Sequence, residues 1–272
     1  MTVINKLINC IPLEIRIRIG QTIDKTRGFK FDGFGLKTVH EVPWNNPMNC
    51  HFNEVYTKTK TDFEFSGDGG CNEYNIDKLK WRNWMISFCA EYAVMFTRDN
   101  TSEFVECGSC DGLSAKITLE TLKNMDVHKI LHLYDAWAPM KRENLVEREL
   151  HDEGNYSNIN IDRIQKNLCK YNNVCYHKGY LPESLYGDSP LQISYLHIDL
   201  NSVKSTVGVL EYLYPYMLHN SIILFDDYGW GGYEQTKKGI DGFLKNKYGR
   251  LLNVPTGQAV FIVSDDNTST PK

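Results

Sequence analysis

The sequence predicts an α/β fold: a mostly parallel sheet with helices on both faces, preceded by a segment of different texture. Three observations carry this. Between about residues 82 and 263, short apolar runs alternate with stretches of helical period, as in βαβ units. One run, Ser221-Ile-Ile-Leu-Phe225, is almost purely apolar, as expected of a strand covered on both faces. Acids recur where the runs stop, at Glu106, Asp135, Asp199 and the pair Asp226-Asp227. Those are the carboxyl ends of strands, where open α/β sheets bind their ligands.

The elements follow in order. Glu103 to Glu106 is a strand that ends in the Gly-containing turn CGSCDG. A helix follows, with Ala115, Leu119 and Leu122 at i, i+4 and i+7. The second strand is Lys129 to Tyr134, ending at Asp135. A charged stretch around 141–150 reads as a helix, and 160–171 as another. Val174 to His177 is a short strand, and Ile193 to Ile198 a longer one ending at Asp199. The next helix buries Val203, Val207, Leu210 and Tyr214 on one face. Ser221 to Phe225 and Ala259 to Val263 complete the strands read from the pattern. Residues 28–75 are rich in Gly, Asn, Asp, Thr and aromatics without a sustained period, which sets a boundary. The chain divides into a helical or irregular cap over 1–81, a Rossmann-like domain over 82–265 and a polar tail over 266–272.

Composition narrows the function. The 272 residues carry 30 basic and 34 acidic side chains, a formal net charge of -4. That balance argues against a nucleic-acid partner, which a basic stripe would announce. No apolar run is long enough to span a bilayer; the best, Met85 to Phe96, is short and contains Glu91. The N-terminus lacks the continuous apolar core of a signal peptide, so the expected location is cytoplasmic. The eight cysteines are then expected as free thiols, and Cys107-Gly-Ser-Cys110 has no second pair with which to hold zinc.

Two halves of a ligand site can be read. Glu106-Cys-Gly108-Ser109-Cys-Asp-Gly112 is E-x-G-x-x-x-G between a strand and a helix. Gly108 lets the backbone turn tightly beside a ligand, and Gly112 opens a helix whose amides suit a carboxylate. Asp135 stands 23 residues beyond Gly112, at a position from which dinucleotide folds hold a ribose diol. The closely spaced G-x-G-x-x-G of nicotinamide enzymes is absent. An acid ahead of the loop suits a ligand with a positive end, such as S-adenosylmethionine. An ordinary strand–turn–helix with a glycine turn remains the other reading.

Asp199 and Asp226 are one strand–helix–strand crossover apart. On neighbouring strands, about 4.8 Å apart, three carboxylates would crowd one cleft. A hard divalent ion such as Mg²⁺ would relieve them; a polar turn at 226–227 and an N-cap at Asp199 fit the same positions. With the ion, an acceptor hydroxyl becomes a usable nucleophile and Asp199 is placed to take its proton. This requires the three side chains to converge, with no lysine or arginine filling the ion's place. His197 shares the strand face of Asp199; a hydrogen-bonded core or cleft histidine is favoured over a second base. Tyr228, Trp230 and Tyr233 suit either sugar stacking or plain packing, Trp137 either covers an adenine or packs, and Lys237-Lys238 reads as a solvated helix face.

The segment LHIDLNSVKSTVGVLEYLYPYMLHNSIILFDDYGW, Leu196 to Trp230, resembles the macrocin O-methyltransferase family. FVECGSCDG, Tyr134-Asp135-Ala136-Trp137, His177-Lys178-Gly179-Tyr180 and Pro255-Thr256-Gly257-Gln258 are similar to further family motifs. The resemblance covers about 100–265. It implies a class I fold with a seven-stranded sheet, and S-adenosylmethionine as methyl donor. It also implies Mg²⁺ on Asp199, Asp226 and Asp227, with Asp199 as base. The acceptor it implies is a sugar hydroxyl of a glycoside or polysaccharide. Glu106, Gly108, Ser109, Gly112, Ser114, Asp135, Trp137 and Gly179 are the expected cofactor contacts. The N-terminal segment is the expected acceptor lid, and a homo-oligomer is compatible with the pattern. Two positions depart from it: Asn201 stands where members usually carry a second acid, and Cys110-Asp111 stand where an aromatic and an Arg are common. The alternatives are a Mg²⁺-dependent phosphoryl-transfer or hydrolytic enzyme, for which no phosphate loop is present, and a non-catalytic nucleoside-binding module.

Overall fold

A computed structural model describes residues 42–68, 72–97 and 99–265. The expectations for 1–41 and for the tail 266–272, with Cys10 and Cys71, lie outside the described residues.

Seven strands form one sheet in the order β3-β2-β1-β4-β5-β7-β6. They are β1 (Glu103–Cys107), β2 (Leu131–Asp135), β3 (Val174–Lys178), β4 (Ile193–Ile198), β5 (Met217–Phe225), β6 (Gly249–Asn253) and β7 (Ala259–Val263). β1 to β5 pair in parallel, while β7 runs antiparallel to both β5 and β6. The chain order reverses between β1 and β4, so the switch point lies where the Glu106 loop meets Asp199.

Alternation along the strands splits the core into two layers. Phe104, Leu131, Leu133, Tyr195, Ile222 and Leu224 face one side. There they pack under α1 (Phe52–Lys60), α2 (Lys80–Thr97) and α3 (Leu113–Asn124). Val105, Tyr134, Leu196, Ile198, Ile223 and Phe225 face the other side, under α5 (Val203–Leu213) and α6 (Glu234–Leu244). The 18-residue α2 buries Met85, Ile86, Cys89, Ala90 and Ala93 against β4, β5 and α3. No helix among the described residues is long and apolar enough to cross a membrane. The described part of the cap joins the same core through Phe52, Val55 and Tyr56. Asp111, fully buried, fastens it further by accepting from the Ser66 amide at 2.6 Å.

Three readings need correction. The stretch 141–150 is two tight turns, Arg142–Asn144 and Glu147–Asp152, not an α-helix. Glu149 turns inward instead, its carboxylate accepting from the amides of Val146 at 3.1 Å and Val203 at 2.9 Å. That second bond serves the first residue of α5, so the acid is spent as a helix cap rather than on a solvated helical face. The helix over 160–171 is shorter: α4 (Ile161–Asn167), capped by the Asn160 side chain. β6 was not separated by the pattern because it is an edge strand whose residues 250–253 are exposed. The six described cysteines are free, as expected.

Candidate active site

Gly108, with φ +89°, ends β1 and presses against the end of β4: a Cβ there would overlap the Asp199 carbonyl. The glycine therefore brings the loop's backbone against the strand that carries Asp199, joining the two halves of the site. The Asp199 amide in turn donates to the Cys107 carbonyl at 2.9 Å. Asp199 is not a helix cap, because Ser202 caps α5 by accepting from the Ser205 amide.

An open cleft lies along these strand ends. Of the expected residues, Gly108, Asp135, Gly179 and Asp199 stand in its wall, with Cys110, Met140, Tyr156 and Asn201. Asp135 accepts from the Cys110 amide at 2.9 Å and the Trp137 amide at 2.7 Å, one on each oxygen. Its pKa is pushed up to about 6 by burial, against the pull of those amides. The Ser109 amide also acts on this carboxylate, which still has acceptor capacity left.

The other expected contacts, Glu106, Ser109, Gly112, Ser114 and Trp137, do not line the cleft. Ser114 donates to Glu106 at 2.7 Å, and Trp137 donates through its indole to the Cys110 carbonyl at 3.0 Å. Glu106 is fully buried, and its other oxygen has no hydrogen-bond partner.

The carboxylates do gather. His197, Asp199 and Asp226 offer ligand atoms that all lie within 4.8 Å of one another. Asp227 sits close enough to Asp199 that, after burial, this like charge is the main force raising its pKa to about 7. Asp152, from the second tight turn, adds a further negative charge nearby. His197 departs from the hydrogen-bonded histidine expected: it is fully buried, and neither ring nitrogen has a hydrogen-bond partner. Nδ1 lies 3.5 Å from Glu106 and Nε2 lies 3.7 Å from Asp226. The ring thus bridges the acid of the cofactor loop and the acids at the ends of β4 and β5.

Three residues that the pattern did not single out, together with Gln258 of the Pro255–Gln258 motif, complete the cluster. Arg82 of α2 forms an ion pair with the Asp226 carboxylate, donates to its carbonyl at 3.3 Å, and stands 3.7 Å from Asp227. The expectation that no arginine would stand among these acids is therefore not met. Gln258 donates to the other Asp226 oxygen at 2.5 Å. Tyr156, in the left-handed region at φ +61°, accepts from the Asn201 amide group at 2.8 Å. Burial and then Asp199 and Asp227 hold its hydroxyl protonated well above the usual range. Asp152 is the fourth. Tyr228 packs rather than stacks on a ligand: it is buried, with its hydroxyl on Asp241 at 2.5 Å. Lys237 pairs with the same Asp241 on α6, so it is less free than a solvated face implies.

The gathered donors suit a hard divalent ion, but Arg82 stands on the Asp226 carboxylate, in the place such an ion would take. Arg82 pairs with Asp226 and stands near Asp227, on which Asp199 and Asp152 also bear, and a buried imidazole without a hydrogen-bond partner lies 3.7 Å from Asp226. Repulsion of this kind asks for more positive charge than one guanidinium brings.

The sheet order, with its one reversed strand and a cleft at the switch point, is that of the Rossmann-like class I methyltransferase fold. The model of the macrocin O-methyltransferase (TylF) family matches residues 87–248, and the chain belongs to that family. It is an S-adenosylmethionine-dependent O-methyltransferase of a family of sugar-modifying enzymes. Among solved structures it is similar to the O-methyltransferase NovP, at 16% identity and a TM-score of 0.67, covering 79% of this chain and 99% of NovP. It is also similar to the calicheamicin methyltransferase CalS11, at 15% identity and a TM-score of 0.54, covering 84% of this chain and 95% of CalS11. At these identities the likeness is one of fold. No curated protein matches the chain.

Proposed function

We propose that the enzyme methylates a sugar hydroxyl of a glycoside or polysaccharide, with a divalent ion held by Asp199, Asp226 and Asp227 and with Asp199 as the base. The observation that carries this is the meeting of Asp199, Asp226 and His197 at the strand ends, against a cavity walled by the cofactor loop. Family membership supports the sugar acceptor.

In this reading Gly108 and Asp135 hold the nucleoside half of the donor, and Glu106, Ser109, Gly112, Ser114, Trp137 and Gly179 shape that half. A divalent ion supplies one thing, a lower pKa for the acceptor hydroxyl. Asp199 takes the proton as the oxygen attacks the methyl carbon; the carbon–sulfur bond breaks and S-adenosylhomocysteine leaves. Holding oxygen, carbon and sulfur in line is the enzyme's main contribution. Asn201 accepts no proton and instead orients Tyr156, so the base is left to Asp199.

Calorimetric titration with S-adenosylmethionine, with and without Mg²⁺, tests this reading. Binding is expected in both cases, with a change on adding the ion. Failure of the donor to bind removes the cofactor assignment; binding indifferent to Mg²⁺, with methyl transfer that survives a chelator, removes the ion.

A further inference from the structure

Arg82 is the least expected member of the site. It lies on α2, five residues before the family match begins, and its side chain is only 15% exposed. It reaches 144 residues along the chain to Asp226. Its guanidinium also stands 5.2 Å from the centre of the Trp230 ring. Trp230 in turn is seated on Gly257, whose φ is +84° and whose Cβ, were there one, would lie 2.7 Å from the indole nitrogen. The Gly257 carbonyl accepts from the amides of Tyr228 and Gly229, at 3.2 and 2.7 Å. Arg82 is thus one end of a clamp on the loop that carries Asp226 and Asp227, and the turn at 255–258 is the other.

Gln258 takes one Asp226 oxygen and Arg82 the other. A guanidinium in that position neutralises the same carboxylates that would ligate a divalent ion. Two cations so close repel each other. Arg82 and the ion therefore compete for Asp226.

We propose that Arg82 is the resident counter-cation of this site, a positioning residue that holds Asp226 and Asp227 in place and must withdraw from Asp226 for a divalent ion to seat. The inference rests on the reading that these acids bind such an ion. The ion's affinity is then set by how readily the guanidinium leaves, and its arrival is felt at Trp230 through the stacked guanidinium.

The test is Mn²⁺ binding, followed by the electron paramagnetic resonance of the free ion, on the full chain. Arg82→Met keeps the aliphatic stem and removes the charge; about tenfold tighter Mn²⁺ binding than in the unaltered protein is expected. Arg82→Gln is also neutral but keeps an amide donor for Asp226, so it carries the same test if Arg82→Met does not fold. Arg82→Lys keeps a charge and is expected to stay within about threefold of the unaltered protein. Equal or weaker Mn²⁺ binding in the neutral variants, with clear binding in the unaltered protein, overturns the competition while leaving the ion in place. No Mn²⁺ binding by any form overturns both this inference and the metal reading beneath it.

Discussion

The two halves of the site satisfy their acids in different ways. At the ends of β1 and β2, Asp135 is held by the amides of Cys110 and Trp137, in its own loop and the loop beside it. At the ends of β4 and β5, Asp226 is held by Arg82 and Gln258, side chains from distant parts of the chain. The first half is built from backbone and is rigid by construction. The second half is held by side chains that rotate, one of them charged. An acid satisfied by backbone amides can be held by turns. A site that must balance several carboxylates needs a counter-charge, and only the tertiary fold brings one.

The sharpest way to separate the halves is Asp199→Asn. Methyl transfer to a glycoside acceptor is expected to fall on the order of 10²- to 10⁴-fold, the range for loss of a general base. S-adenosylmethionine affinity, read by calorimetry, should stay within about twofold. An equal loss of both would show that the halves are not separable at this residue.

Gly108→Ala strikes the junction between them. The left-handed φ and the overlap with the Asp199 carbonyl together predict a stability loss of about 3 kcal/mol in denaturant unfolding. A stable variant that still binds the donor would mean the loop can back away from β4.

Next in size is the cofactor half alone. Asp135→Asn removes a charged acceptor, and S-adenosylmethionine binding should weaken about tenfold. The same group gives a pH dependence. Its pKa of about 6 lies above the ordinary 3.8, so it is ionised above that pH and takes a proton below it. Donor affinity in the unaltered protein should decline as pH falls through about 6, and this decline should vanish in Asp135→Asn. Calorimetry across pH 5 to 8 measures both.

The smallest effect is expected from the neutral end of the clamp. Gln258→Leu leaves one Asp226 oxygen without its donor inside a buried site, at a stability cost of about 1–2 kcal/mol in thermal unfolding. Donor binding should not change, since Asp135 and Gly108 are untouched.

Much of this site was legible from the pattern, for a definite reason. Short apolar runs, continuous where both faces are covered, mark their own ends, so acids placed there can be located without knowing the fold. That located Asp135, Asp199, Asp226 and Asp227 on one rim, and Gly108 at the turn. It failed where a side chain's partner decides its state. Glu149 has the composition of a solvated helix, yet it is buried as a cap for α5. His197 follows strand alternation onto the face of Asp199, but its unpartnered ring follows only from what stands around it. Tyr156 carried no local signal, because a left-handed tyrosine in a long excursion has no sequence mark.

The sequence by itself determined the strand–helix rhythm and the rim of acids. These depend on local periodicity and on residues within a turn of one another. Only the tertiary structure decided which cation faces those acids and from where. Arg82 and Gln258 meet at Asp226 through the packing of α2 against β4 and β5 and the pairing of β7 with β5. Contacts between residues so far apart leave no spacing along the chain, since charge compensation depends on distance in space and on the dielectric around it.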